Sequence, residues 1–156
     1  MAKLTIGNGI EKYASMLGNL EFTAPKCIGR AIYPAAGLVV KAVDRAIDTL
    51  PSVSRPGDGV TPAQRKGLHD GLGIAEISND SGYINVKLGF DGYNKLKTKK
   101  HPQGQANAMI ARAMESGTSV SRKHPFVSTA TRSVKAEAEV LMQMALDKEI
   151  AQIMEV

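Results

Sequence analysis

The chain has no tryptophan, and its three phenylalanines and four tyrosines make aromatics only 4% of 156 residues. A surface that stacks nucleobases needs several exposed aromatics, and seven rings shared between core and surface leave few for that work. The core is therefore expected to come from Ile, Val, Leu, Met and Ala. Cysteine is nearly absent as well. Cys27 stands alone, which excludes an intrachain disulfide and a thiolate metal cluster. On a helix, a lone cysteine reads as a small buried apolar residue before it reads as a nucleophile. No run approaches the roughly 18 consecutive apolar residues of a membrane span. Met1 to Ile10 holds one Lys and two Gly and no apolar stretch of the signal-peptide kind. No membrane partner is expected, and assembly is expected in the cytoplasm.

The residues that carry chemistry are sparse too. There are three histidines, none at a metal-ligand spacing such as H-E-x-x-H. His69 is followed directly by Asp70, and neighbours in sequence diverge on a helix instead of pairing. His101 sits in a lysine-rich stretch, and His124 precedes Pro125 at a helix entrance. The stretch GVTPAQRKG has a late lysine but not the G-x-x-x-x-G-K-[ST] spacing that aims backbone amides at phosphates. Asp58 in PGDG has no companion carboxylates at calcium-loop spacing. No nucleophile, base and charge stabiliser come together in any motif. The chain is read as non-enzymatic, with no catalytic residue, cofactor or metal.

What is present is an alternation of strong patterns and breakers that fits a single domain over residues 1–156. A first helical signal runs from Ile10 to Phe22 and a stronger one from Ala24 to Leu50. In the second, Ile28, Ile32, Ala35, Val39, Val43, Ala46, Ile47 and Leu50 recur every three or four residues. Pro34, flanked by Gly29 and Gly37, predicts a kink or break there, and Pro51 ends the element. Residues 51–60 read as a flexible loop. Thr61-Pro62 reads as an N-cap followed by a helix-starting proline, opening a short turn through Leu68.

A hairpin is expected over residues 72–90, with arms Leu72 to Ser78 and Tyr83 to Phe90 around the turn Asn79-Asp80-Ser81-Gly82. In the second arm Ile84, Val86, Leu88 and Phe90 alternate with polar or small residues, the period of a strand with one buried face. Residues 91–105 read as a second flexible loop. A short helix follows over 106–116, stopped by Gly117 with a left-handed cap. A long C-terminal helix is predicted over 125–154, opened by Pro125. Its inward stripe is Val127, Ala130, Val134, Ala138, Leu141 and Ala145, broadened by Met142, Leu146, Ile150 and Ile153. Two long helices, a small antiparallel sheet and short helices make an α+β fold.

The net charge is +5, unevenly placed: residues 91–123 hold seven basic and two acidic groups, while 124–156 hold three basic and five acidic. Lys95, Lys97, Lys99 and Lys100 suit either a solvated loop or salt-dependent, sequence-indifferent contact with DNA. No helix rich in Arg, Asn or Gln accompanies them to read bases. The wide apolar surface of the last helix and the Met-rich stretch Met109 to Met114 make self-association plausible.

The segment QANAMIARAMESGTSVSRKHPFVSTATRSVKAEA, Gln105 to Ala138, resembles the signature half of the phage tail-completion family, whose members are also described as tail terminators, minor tail proteins or head–tail-joining neck proteins. The matching features are the small-residue stretch Ala111 to Met114 leading into Glu115-Ser116-Gly117-Thr118, and then His124-Pro125-Phe126 with Ala130 following. Upstream, LHDGLGIAEISNDSGYINVKLG is similar to the family's short turn, first strand and hairpin. Three departures stand out. Ser116 replaces a common Phe, Pro34 and Gly37 interrupt the N-terminal helix, and the Lys-rich insert at 95–101 is unusual.

The resemblance implies a structural virion protein at the head–tail joint, assembled in the host cytoplasm as a ring, most simply a hexamer. The ring would complete the tail tube and join it to the head connector, with packaged DNA passing through its lumen. Met109, Met114, Glu115, Gly117, Thr118, Pro125, Phe126, Met142, Leu146 and Ile150 are then the candidate motif and interface residues. Glu115 is expected to pair with Arg122, Lys123 or a neighbouring subunit, and Phe126 to anchor the long helix to the sheet. The alternatives are a head-closure or connector protein of the neck, and, from another class, a small basic DNA-binding protein.

Overall fold

The computed structural model describes residues 8–55 and 57–154. Met1–Gly7, part of the stretch read above for a leader, lies outside the described residues, as do Pro56 and the last two residues. The chain order is α1 (Asn8–Asp48), α2 (Pro62–Gly71), β1 (Leu72–Ile74), β2 (Ser78–Asp80), β3 (Tyr83–Asn85), β4 (Leu88–Phe90), α3 (Asn107–Ser116) and α4 (Phe126–Met154). This is the α+β arrangement expected from the periodicities.

The break at Pro34 does not occur. A single helix of 41 residues runs through both Pro25 and Pro34. Each proline leaves one carbonyl a turn earlier without its amide partner, but both prolines lie on the exposed side of α1, the side on which a freed carbonyl costs least because it faces water. Antiparallel packing against α4 holds the opposite side. Arg30 meets Glu149 at 3.1 Å near the far end, and Ala42 and Ala46 lie beside Phe126 and Ala130 at the near end. In the outer half the buried positions are small, Cys27, Ala31, Ala35 and Ala36 on α1 and Ala138 on α4. Ile28 and Ile32, expected on the inward stripe, are only half-buried. Small side chains let two helix axes approach closely, so the seam settles on them and pushes the larger residues to its flanks.

The 72–90 hairpin forms with two changes. Leu72 pairs with Phe90 and Ile74 with Leu88, but Ser78 pairs with Asn85 and Asp80 with Tyr83. Between those pairs one arm has three residues, Ala75 to Ile77, and the other two, which is a one-residue bulge. The bulge moves the inward phase from Leu72 and Ile74 to Ile77, which then packs on α1, its Cδ1 2.9 Å from where a Cβ on Gly29 would stand. The turn is tighter than the four residues expected. Ser81 and Gly82 alone make it, with φ of 55° and 93°, the sign at both positions that a type I′ turn needs.

The core sits where the inner ends of α1 and α4 meet α2, α3 and the sheet. Val43, Ile47, Val60 and Leu68 are fully enclosed there. Phe126 is buried against Phe90, ring centroids 6.0 Å apart and tilted by 54°, which is the anchoring role expected of it. The long helices end at this junction with terminal backbone groups unmade, and each end is capped by a charged side chain from a short helix. The Arg65 guanidinium of α2 donates to the Ile47 and Leu50 carbonyls at 2.6 and 2.7 Å. The Glu115 carboxylate of α3 accepts from the Val127 and Ser128 amides at 2.9 and 3.0 Å. Cation at a C-terminus and anion at an N-terminus match the signs of the two helix dipoles. Glu115 therefore does not pair with Arg122 or Lys123; the free amides of α4 compete more strongly for it.

The short elements start where their signals place them, but α2 runs past Leu68 to Gly71, with Gly67 and Gly71 serving close packing against Asp91, Asn94 and Asn107 instead of ending the helix. Thr61 and Gln64 form a reciprocal capping box around Pro62. Gly117 ends α3, but with φ 76° and ψ 169° it occupies an extended region reserved for glycine, not the left-handed helical cap expected. Thr118 Oγ1 accepts from the Ser121 amide at 3.0 Å in the turn that follows. The two loops are tied at their bases. The Val53 amide bonds the Val60 carbonyl in one, and the Asn94 amide bonds the Gln105 carbonyl in the other.

Candidate functional site

The structure separates the candidate residues into three groups. Met114, Phe126 and Ala130 belong to the core cluster, and Gly117, Thr118 and Pro125 shape the α3–α4 turn. Together with Glu115 these motif residues build the junction, and of those named Thr118 alone is exposed. This corrects the assignment of Met114 and Phe126 to an interface: both are 4% exposed. Met142, Leu146 and Ile150 are half-buried on the flank of the α1–α4 seam. Met109, on the outer face of α3, remains accessible at 40%.

The larger exposed apolar surface is one the sequence pattern did not single out. Val140 and Met144 are 56% and 63% exposed on α4. With Ala151 and Met154 they fall within an arc of about 80° at 100° per residue, which they share with the exposed Asp147. Ala138 and Ala145, on the side facing α1, lie roughly opposite. On α1, Leu17 and Phe22 are also exposed, Phe22 at 81%. The end of α4 reaches α1 near Asn19 and Thr23, so the first turns of α1 extend past it. Leu17, Phe22, Val140, Met144 and Met154, in the outer half of the helical pair, are thus left without cover by the described residues.

Lys95, Lys97, Lys99 and Lys100 are all exposed on the 91–105 loop. Among the described residues none of the four takes part in an ion pair, whereas Lys66 and Lys135 each meet a carboxylate four residues on.

Two histidines find partners distant in sequence. His69 on α2 stands between two carboxylates of α1, with Nδ1 2.6 Å from Asp44 and Nε2 3.0 Å from Asp48. A carboxylate accepts and does not donate, so this geometry is fully used when both ring nitrogens carry a proton and donate, which favours the cationic ring. Partial burial pulls its pKa down, but the hydrogen bonds and charges of Asp44 and Asp48 outweigh that and raise it above 6.5. Both nitrogens are occupied, so neither is free to take a proton from a nucleophile; the cluster ties α2 to α1. Its linkage has a definite sign. A folded-state pKa above the unfolded value stabilises fully below about pH 6.5 and is lost as pH rises through the folded pKa. The melting temperature should fall as pH rises above about 6.5, by an amount equivalent to less than about 1 kcal/mol for a cluster this exposed. In His69→Gln, thermal melts should lose that slope; an unchanged slope refutes the assignment.

His124 and Asp58 form a second, looser cluster, 3.3 Å apart. Asp58 accepts the Arg122 amide at 2.7 Å. That bond, opposed by slight desolvation and aided by His124 and the Arg122 guanidinium, holds its carboxyl below the ordinary range. Asp58 thus pins the 51–60 loop to the turn before α4.

Among the described residues no group of three or more His, Cys, Asp or Glu is arranged to hold a metal, and no helix is long and apolar enough to cross a membrane. Comparison with protein-family models, with curated proteins and with solved structures finds no match.

Proposed function

We propose that the chain is a structural ring subunit of a phage head–tail joint, completing the tail tube and joining it to the head connector. The resemblance of Gln105–Ala138 supplies the setting. The observation that carries the mechanical part is the set of large apolar side chains left exposed in the outer half of the helical pair, Leu17 and Phe22 on α1 and Val140, Met144 and Met154 on α4, because a concentration of exposed apolar surface marks an interaction site. A closed ring joins two unlike patches. The α4 stripe at the outer end and Met109 beside the basic loop at the junction end are two such patches. A hexamer is the copy number this reading favours.

Native mass measurement and electron microscopy at high concentration test it: closed rings are expected, and monomers alone, even with tail tubes present, would end the idea. A Val140→Glu, Met144→Glu double variant should keep the fold, since both residues are solvent-facing, and raise the dissociation constant at least about tenfold by placing charge in a dry contact. Labelling isolated tails and filled heads separates tail completion from a head-closure or connector role.

A second reading, non-specific DNA contact, is favoured by the four exposed lysines without ion partners. Four neutralised phosphates give a log–log salt slope of about −3 to −4. Replacing Lys95, Lys97, Lys99 and Lys100 by Ala should flatten it; duplex binding that is absent or insensitive to the change excludes this reading.

A further inference from the structure

The charges around the exposed α4 residues are of one sign. From Ser133 to Met154, every position within about 60° of Val140 around the helix is exposed. The charged residues in that arc are Glu137 and Asp147, both acidic, and among the described residues neither takes part in an ion pair. The other two carboxylates of this length lie outside the arc and are taken, Glu139 by Lys135 and Glu149 by Arg30. Lys148 turns about 80° away from Val140.

The 91–105 loop carries the opposite sign. Lys95, Lys97, Lys99 and Lys100 are exposed there. The two acidic groups of the surrounding basic segment are engaged elsewhere. The Asp91 carboxylate accepts from the Gly92 amide at 2.7 Å, and the Glu115 carboxylate caps α4. At the base of the loop, where Tyr93 bridges to Ala106, Tyr93 is 70% and Met109 40% exposed. Each end of the molecule therefore joins exposed apolar side chains to charge of a single sign.

Such surfaces do not pair like with like. Two α4 faces brought together gather two carboxylates from each copy, two loops gather four ammonium groups from each, and like charges across a contact repel. We propose that the α4 face of one copy docks on the 91–105 loop of a second copy. Glu137 and Asp147 each meet a lysine of that loop, with Val140 and Met144 between them against Tyr93 and Met109 of the second copy. The two carboxylates lie ten residues apart, about 15 Å along the helix, so two different lysines are required. This inference rests on the ring reading and adds the reason for a ring: an unlike contact leaves each copy one free patch of each sign, and repetition closes by rotation. A two-fold dimer would leave both charges unanswered.

The test is charge reversal in the full chain, read by native mass measurement and sedimentation. One variant carries Glu137→Lys and Asp147→Lys; the other carries Lys95→Glu, Lys97→Glu, Lys99→Glu and Lys100→Glu. All these side chains are exposed, so both variants keep the fold. Each alone should raise the dissociation constant of the assembly at least about tenfold. Mixed in equal amounts they should assemble again, within about threefold of the unaltered chain, in rings holding equal numbers of each. In the mixture every contact between unlike copies joins opposite charges, and a misfolded variant would not be restored by mixing. If the unaltered chain stays monomeric or stops at a dimer, the ring and this contact both fall. Rings that the reversals leave intact, or that mixing does not restore, overturn this contact while the ring stands. A lysine variant that keeps its rings and loses only duplex DNA binding overturns it in favour of DNA.

Discussion

Replacing Gly71 by alanine is expected to destabilise the protein by about 2–3 kcal/mol and lower its melting temperature by about 5–10 °C. On helix propensity alone the change should stabilise by up to about 1 kcal/mol, so steric conflict must reverse the sign. A Cβ on Gly71 would press into the Asp91 carbonyl oxygen and stand 2.7 Å from Asn107 Nδ2. Neither neighbour can turn away freely. The Asp91 amide donates to the Gly71 carbonyl at 2.8 Å, and the Asp91 carbonyl accepts from Asn107. Gly67, one turn earlier, meets the same group: a Cβ there would press on Asn107 Oδ1 and lie 2.6 Å from Asn94 Cβ. The two glycines form a smooth face on α2 against which the 91–94 backbone and Asn107 lie. Gly37 is the control, being helical with nothing within 4 Å of the position a Cβ would take. Gly37→Ala should stabilise by about 0.4–1 kcal/mol, so chemical denaturation of the two variants should show opposite signs. A stabilised Gly71→Ala would mean that the loop is not seated on α2 in solution.

That contrast also marks the limit of what the sequence discloses. Local signals were legible because their cause is local. Thr61, Pro62 and Gln64 announce a capped helix, Gly117 a stop, Pro125 a start, and the alternation from Ile84 to Phe90 a strand. Pro34 misled because its cost depends on whether the freed carbonyl faces water, which only the packing of α1 against α4 decides. The bulge at Ala75–Ile77 is hidden because a strict two-residue period gives no sign of a phase slip until the partner strand is known. On α4 the apolar residues occupy more than one side, and periodicity does not say which side meets α1; the small residues of both helices settle that, leaving Val140 and Met144 outside. The clusters of His69 with Asp44 and Asp48, Arg65 with the end of α1, and Asn94 with Asn107 join residues 13 to 25 positions apart. None has a spacing that marks it in a linear reading. Loop asparagines look alike in sequence whether they are solvated or sealed.

Ile47→Ala is expected to cost about 3–4 kcal/mol, a larger loss than that at Gly71. Ile47 is fully enclosed among Val43, Leu50, Val60 and Leu68, and the rigid caps around it restrict collapse into the space it leaves. Its own carbonyl is held by Arg65, so α1 cannot shift to fill the void without breaking that cap. The same truncation at Ile153, half-buried at the outer end of α4, should cost only about 1 kcal/mol, since water and flexible neighbours take up the space. Denaturant melts of both variants at a dilution that keeps the chain monomeric measure the ratio. A large ratio means that folding free energy is concentrated at the junction, while the outer helical pair, seamed by alanines and edged by Val140 and Met144, contributes little alone. An element of that kind gains most from being covered, because a contact made only in the folded state adds its binding free energy to stability. Raising the concentration should then protect the Ile153→Ala chain more than the Ile47→Ala chain. Equal losses at the two positions would show that the outer pair is already a self-sufficient part of the fold, and the argument that its exposed stripe awaits a second copy would lose its physical basis.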